Sequence, residues 1–213
     1  MAKNVSFFGS LVDLVKQLRE DRIAYWRDSS MPGFRALLVY RTGCWVSAQG
    51  PLLRRLLFPL YRAAYRWVRN HYGIDLYYTA KVGRRVILAN QGNIEIHKNA
   101  VIGNDCVIRQ NVTIGAVTGS RIEQAPVLED GVEVGAGAVI LGRVRVGAGA
   151  RIGPNVVVMT DIPARAIVVT PPPRVLLPTS VQQTSRLEHS GDLEARMATG
   201  MEDSDNAGEW RIA

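Results

Sequence analysis

The feature that most constrains this chain is a step of six. From Ile96 the sequence places Ile102, Ile108 and Ile114 at intervals of six, and from Leu128 it places Val134, Ile140, Val146, Ile152 and Val158. Four residues after most of these comes Ala100, Cys106, Val112, Val132, Ala138, Val144, Ala150 or Val156. A helix repeats near 3.6 residues and a strand near 2, and neither generates this spacing. A coil does: six residues make a short strand and a corner, and three such units close one turn of a triangular prism. Positions one and five of each unit point inward, and stacked turns bury a core that no single repeat can bury. Glycine often follows the aliphatic residue, at Gly83, Gly103, Gly115, Gly135, Gly147 and Gly153. At position two it is expected to allow the sharp corner. The repeat therefore predicts a mainly β protein, a parallel β-helix over about residues 82–159, with turns beginning at Val82, Ile102, Leu128 and Val146.

The rhythm breaks twice. Leu88 to Ile96 is a step of eight, with two extra residues around Ala89–Asn93, and Ile114 to Leu128 is a step of fourteen, leaving a loop over Ala116–Ala125. Insertions in a solenoid are expelled to a corner and often build the binding face. The two loops bracket one turn, so the site is expected there.

The flanks differ from the coil. Residues 1–78 read as a helical region: Phe8, Leu11, Val15 and Leu18 recur at helical spacing, and Pro51–Asn70 forms a second segment, interrupted or kinked at Pro59. Arg55, Arg62, Arg66 and Arg69 fall on one side of that segment, and Leu53, Leu57, Leu60, Ala64, Trp67 and Val68 form much of the other. Such a helix can lie on an anionic membrane surface or dock on the coil or a neighbouring subunit, and its apolar face favours docking. The net charge of +7 belongs mostly to this region, which holds Lys3, Lys16 and ten arginines against five acids. Residues 79–175 form the β-helix domain; the polar stretch 176–213, with seven acids from Glu188 to Glu209, is expected to be disordered. Met1–Leu18 lacks a signal-peptide core and no apolar run reaches transmembrane length. Two cysteines without a CxxC pattern fit a reducing cytosol. A cytoplasmic protein is expected, peripheral at the inner membrane face if the basic helix is used there, with no nucleic-acid partner.

On Gly73-Ile74-Asp75, Val82-Gly83, the insertion near Asn90, Val112-Thr113-Ile114-Gly115 and Val134 to Gly142, the chain resembles serine O-acetyltransferase, and still more its relatives in exopolysaccharide gene clusters. The resemblance spans about residues 36–175. It implies a left-handed coil, a homotrimer, and acetyl-CoA bound as co-substrate between neighbouring turns. Gly135, Ala136, Gly153 and Pro154 match the small corner positions lining that groove, Pro154 standing where alanine is usual; Arg151 and Arg174 are placed to meet the phosphates. Asp75 matches the acceptor-side aspartate.

The departures concern the chemistry. The family's first insertion carries an Asp-His pair whose histidine is the general base, and here those residues are Ala89-Asn90. The second histidine and its preceding arginine become Ala125 and Gln124. An alcohol attacking a thioester needs a base titrating near neutrality. Asparagine cannot take the proton; it can orient the acceptor or donate to the oxyanion. His97, just after the first insertion and on the corner column of Gly115, is the candidate replacement base, with an exposed corner histidine as the alternative. His97 is the coil's only histidine, so no three-histidine metal centre is expected. The expected function is acetyl-CoA-dependent O-acyl transfer, with Asp75 and Gln124 facing an acceptor that is a polysaccharide-precursor sugar hydroxyl rather than free serine. The rival is a non-catalytic scaffold or regulatory subunit that keeps the coil and the trimer.

Overall fold

The computed structural model describes residues 11–117 and 123–172. Three helices precede the coil: α1 (Leu11–Ala24), α2 (Pro32–Ser47) and α3 (Pro51–Tyr72). Pro32 and Pro51 open their helices, where a missing N–H is no loss, and Gly73 ends α3 at φ 64° with its N–H on the Arg69 carbonyl at 2.9 Å. The interruption expected at Pro59 is not seen: α3 runs through it for 22 residues. The buried stripe of α3 also differs from expectation. Tyr61, Val68 and Tyr72 are buried, whereas Leu53, Leu60 and Trp67 are exposed. The tyrosines win because their rings pack while their hydroxyls find polar partners, as where Tyr61 accepts from the Tyr78 N–H.

The coil has three faces of parallel strands. Face one stacks β1 (Ile74–Leu76), β4 (Ile94–Ile96), β7 (Thr113–Gly115), β10 (Val139–Leu141) and β13 (Val157–Val158). Face two stacks β2 (Lys81–Val82), β5 (Val101–Ile102), β8 (Val127–Leu128) and β11 (Arg145–Val146). Face three stacks β3 (Ile87–Leu88), β6 (Val107–Ile108), β9 (Glu133–Val134), β12 (Arg151–Ile152) and β14 (Ile167–Val168). The parallel β-helix is as expected and consistent with the left-handed form, but it starts one strand earlier than Val82 and continues past Met159 to β14. The missed first rung, β1, pairs with β4 as Ile74↔Ile94, Asp75↔Glu95 and Leu76↔Ile96.

The inward residues are those the repeat picks out. Ile102, Ile108, Ile114 and Ile140 at position one and Ala100, Cys106, Val112 and Ala138 at position five are all fully buried. Each large aliphatic so buried is worth about 1.5–3 kcal/mol. The position-two glycines have a different reason from the one expected. None of the six has a positive φ. Space excludes a side chain at most of them: a Cβ on Gly83, Gly103, Gly135 or Gly147 would lie 2.4–2.6 Å from the backbone of the next turn. The left-handed bend instead falls at position four, on Arg85, Asp105, Asn111, Asn155, Gly131, Gly137 and Gly149.

The helices close the lower end of the coil. Strands β2 and β3 are edge strands with unpaired backbone groups, which side chains satisfy. The Tyr25 hydroxyl receives the Leu88 N–H at 2.6 Å and donates to the Leu88 carbonyl at 3.3 Å. Tyr40 does the same for β2, receiving the Val82 N–H at 3.1 Å and donating to Ala80 at 2.7 Å. Buried Arg41 donates to the carbonyls of Val82 and Gly83 and pairs with buried Asp21 at 2.9 Å.

Candidate functional site

The first insertion lies on the corner between faces three and one. Asn90, Gly92 and Asn93 take positive φ there (68°, 104° and 49°), a cluster that folds the extra residues outward. The loop is pinned: the Asn90 side chain donates to Gln110 Oε1 at 2.7 Å, the Asn111 N–H reaches the Gly92 carbonyl at 3.1 Å, and the Ile94 N–H reaches Gly73 at 2.9 Å. Asn90 is thus an exposed amide fixed by a second amide.

Beside this loop face one carries a polar cleft of about 540 Å³, lined by Arg69, Asp75, Asn93, Glu95, Asn111 and Thr113. Register explains its composition. Asp75 sits beside Glu95, and Glu95 beside Thr113, on successive strands of one face. The Tyr65 hydroxyl donates a short hydrogen bond to Asp75 Oδ1. Burial, then the neighbouring Asp75 carboxylate, raise the Tyr65 phenol far above its ordinary range, so it stays a proton donor. Tyr65, Asn93, Glu95, Asn111 and Thr113 were not singled out from sequence. The signal existed: Glu95 lies one turn plus the two-residue insertion beyond Asp75, and Thr113 one turn beyond Glu95.

His97 is elsewhere. It leaves β4 at the corner between faces one and two, half-buried, with its N–H on the Ile114 carbonyl at 2.8 Å. Nδ1 accepts the Asn99 N–H at 3.2 Å. This is the column of Gly115, as the spacing predicts. The long loop returns over it: Glu123 accepts from Lys98 at 3.0 Å and also bonds Asn99. Residues 118–122 of that loop lie outside the described residues. Gln124 is exposed on the same side. A single chain therefore does not gather its candidates. Asn90 lies at one edge of face one and His97 and Gln124 at the other, with Asp75 mid-face beside Glu95. The three residues of β4 between them span about 10 Å.

The candidate cofactor positions form a second column, above Asn90 on the same corner. Gly135 stacks directly on Gly153-Pro154, and a Cβ at Gly135 would lie 2.6 Å from the Pro154 nitrogen. The Ala136 carbonyl receives the Asn155 N–H at 2.9 Å. Arg151 is exposed on β12 and makes a loose 3.5 Å pair with Glu133, an interaction weak enough to yield to a phosphate. Arg174 lies outside the described residues, as does the stretch from 176. No cysteine offers an alternative nucleophile: burial pushes the thiols of Cys44 and Cys106 up to about 11. Among the described residues no group of three or more His, Cys, Asp or Glu is arranged to hold a metal ion, and no helix is long and apolar enough to cross a membrane.

The model of the bacterial transferase hexapeptide (six repeats) matches residues 125–159. The chain is 34% identical over 169 residues to a serine acetyltransferase of Synechococcus elongatus, covering 78% of this chain and 66% of that protein. It also resembles solved structures. A serine acetyltransferase of Neisseria gonorrhoeae in complex with serine superposes with a TM-score of 0.61 at 27% identity, over 78% of this chain and 70% of that one. A serine acetyltransferase of Brucella abortus in complex with coenzyme A gives 0.65 at 24% identity, over 78% and 68%, a likeness of fold. The chain spans about half to two thirds of the length of the curated relatives it matches.

Proposed function

The chain is a hexapeptide-repeat relative of the serine acetyltransferases, and on that premise we propose that it is an acetyl-CoA-dependent O-acyltransferase acting on a sugar hydroxyl of a polysaccharide precursor. The observation that carries the reading is the joining of two features on one corner. A column of small residues, Gly135-Ala136 over Gly153-Pro154, puts little side-chain bulk between a donor and the backbone of that corner, and the polar cleft at Asp75 opens beside the same loop. The cleft offers carboxylate, amide and hydroxyl groups on neighbouring rungs, the inventory that recognises a polyol. Its volume of about 540 Å³ exceeds what a three-carbon amino acid fills. Ala89 and Gln124, standing where the family resemblance expects Asp and Arg for serine, point the same way.

In the reaction the acceptor hydroxyl attacks the thioester carbonyl, the new C–O bond forms, the C–S bond breaks, and CoA leaves as the thiol. Asp75 orients the hydroxyl and Asn90 donates to the developing oxyanion. The base is His97, supplied by a neighbouring subunit. A ring of three protomers joined edge to edge pairs unlike edges of the coil. That brings the His97 edge of one subunit against the Asn90 edge of the next. The exposed arginines Arg55, Arg62, Arg66 and Arg69, with Leu52, Leu56 and Leu60 exposed on the same helix, give the assembly a face for an anionic membrane.

Calorimetry with acetyl-CoA and acetyl transfer to a panel of sugars and to L-serine test the proposal. Binding, with transfer to a sugar that falls roughly 10²–10⁴-fold in His97→Ala, is expected. Ordinary turnover on L-serine refutes the sugar preference, and failure to bind acetyl-CoA leaves the scaffold reading in its place.

A further inference from the structure

The corner bearing Asn90 opens onto a second cavity, on the side of face three. It measures about 490 Å³ and is walled by Tyr25, Met31, Pro32, Leu88 and Val107, with exposed Asn90 and Arg109 on its rim. Its walls are fixed by the end cap. Tyr25 is tied to both backbone groups of Leu88, and Gly33 presses so closely that a Cβ there would lie 2.0 Å from the Leu88 carbonyl oxygen. Between these two anchors the link from α1 to α2 arches away from β3 and β6, and the space beneath it is the cavity. No aspartate or glutamate lines it, and the Tyr25 hydroxyl is already satisfied. Trp26, also lining it, is 75% exposed, an aromatic surface left at the lip of an apolar hollow.

Position says what fills it. Reading down the corner, Gly153-Pro154 is followed by Gly135-Ala136, then Arg109-Gln110, then Ala89-Asn90, three rungs or about 14 Å. A donor laid along this column with its thioester at Asn90 sends whatever lies beyond the carbonyl into the hollow. Arg109 forms no ion pair among the described residues, and it stands where it can meet the carbonyl oxygen. We propose that this cavity is an acyl-chain pocket, and that the preferred donor carries a linear acyl group longer than acetyl. The inference rests on the acyl-CoA reading above and leaves its bond changes untouched. An apolar cavity of about 150 Å³ holds the six carbons of benzene, so the space here exceeds by far what a two-carbon acetyl group needs.

The test is calorimetry of the full chain with CoA, acetyl-CoA, butyryl-CoA and octanoyl-CoA, repeated on Val107→Trp and Ile87→Trp, each of which puts an indole into the hollow. A fully buried methylene is worth roughly fourfold in affinity. Because the cavity is partly open, a rise of at least about tenfold from acetyl to octanoyl is expected. In either variant that rise vanishes while affinity for free CoA, which also reports an intact fold, stays within about twofold. Equal affinity for acetyl- and octanoyl-CoA overturns the proposal, and so does a rise that survives both substitutions. A flat donor series together with octyl glucoside binding that Val107→Trp abolishes overturns it in favour of an apolar acceptor tail. If no CoA species binds, the acyltransferase reading itself falls and takes the pocket with it.

Discussion

Replacing Gly147 and Gly149 by alanine, one at a time, separates two roles that glycine plays in this coil. Gly147 stands at position two with ordinary φ, and a Cβ there would meet the Ala164 nitrogen at 2.4 Å and the Ala164 Cα at 2.7 Å. Both are backbone atoms of the next turn, held by the Gly147 N–H to Ile162 and Arg165 N–H to Ala148 bonds, so neither can swing aside. Overpacking a rigid site costs about 1–3 kcal/mol, and a clash this close belongs at or above the top of that range. Gly149 stands at position four with φ 68°, and the nearest foreign atom to its Cβ would be the flexible Arg165 Cγ at 3.7 Å. Alanine fits there, and its cost is the left-handed backbone alone, roughly 1–2 kcal/mol. Asparagine at 149 costs less still, since Asn111 and Asn155 hold the same conformation in the same place. For a unit of this size about 2–4 °C of melting temperature accompanies each kcal/mol. Thermal and urea unfolding followed by circular dichroism should therefore rank Gly147→Ala as the most damaging, by roughly 6–12 °C, then Gly149→Ala, then Gly149→Asn. If Gly147→Ala is no worse than Gly149→Ala, the separation of space from conformation is wrong.

Two further outcomes are expected. Tyr25→Phe and Tyr40→Phe each strand a backbone donor and acceptor on a buried strand edge, so each should lower unfolding free energy by about 1–3 kcal/mol, more than Tyr77→Phe at a half-exposed site. Glu129 has its pKa lowered by the Ala148 N–H and then by Arg145. A depressed carboxylate stabilises the fold above its unfolded value, and that contribution disappears as pH falls through the folded value. Acid titration of stability should thus be shallower in Glu129→Gln than in the parent below the ordinary glutamate range, and the two should run parallel near neutrality; identical acid limbs exclude the linkage.

The coil was legible because its core is periodic. Ile102, Ile108 and Ile114 point inward for a reason that repeats every six residues, so arithmetic finds them. The same arithmetic places His97 beside Gly115, and it would have placed Glu95 beside Asp75. It fails where contacts are not periodic. Tyr25, Tyr40 and Arg41 reach β2 and β3 from 40 to 63 residues away in sequence, and nothing local announces them. Helix α2 itself is buried on several sides, from Phe34 to Val46, so it shows no clean amphipathic stripe to read. The role of position-two glycine was misjudged because sequence shows which residue lacks a side chain but not which backbone lies opposite. At the face-one corner the same position carries Tyr77, His97 and Leu141; Gly115 there would meet only side-chain atoms, the nearest Leu141 Cδ2 at 3.3 Å.

The helical cap also sets a direction for change in this architecture. Below β2 and β3 the hydrogen-bonding edge is already occupied by two phenols and a guanidinium, so no rung can be added there without dismantling Tyr25, Tyr40 and Arg41. Above that floor every rung meets its neighbours through the same in-register pairs. A whole turn can therefore be duplicated or deleted higher in the stack while the floor, the Asn90 corner and the hollow beneath it keep their shape. Such a protein can vary the height of its column without altering its base, and the cleft, the loop and the hollow all sit on the part that stays fixed.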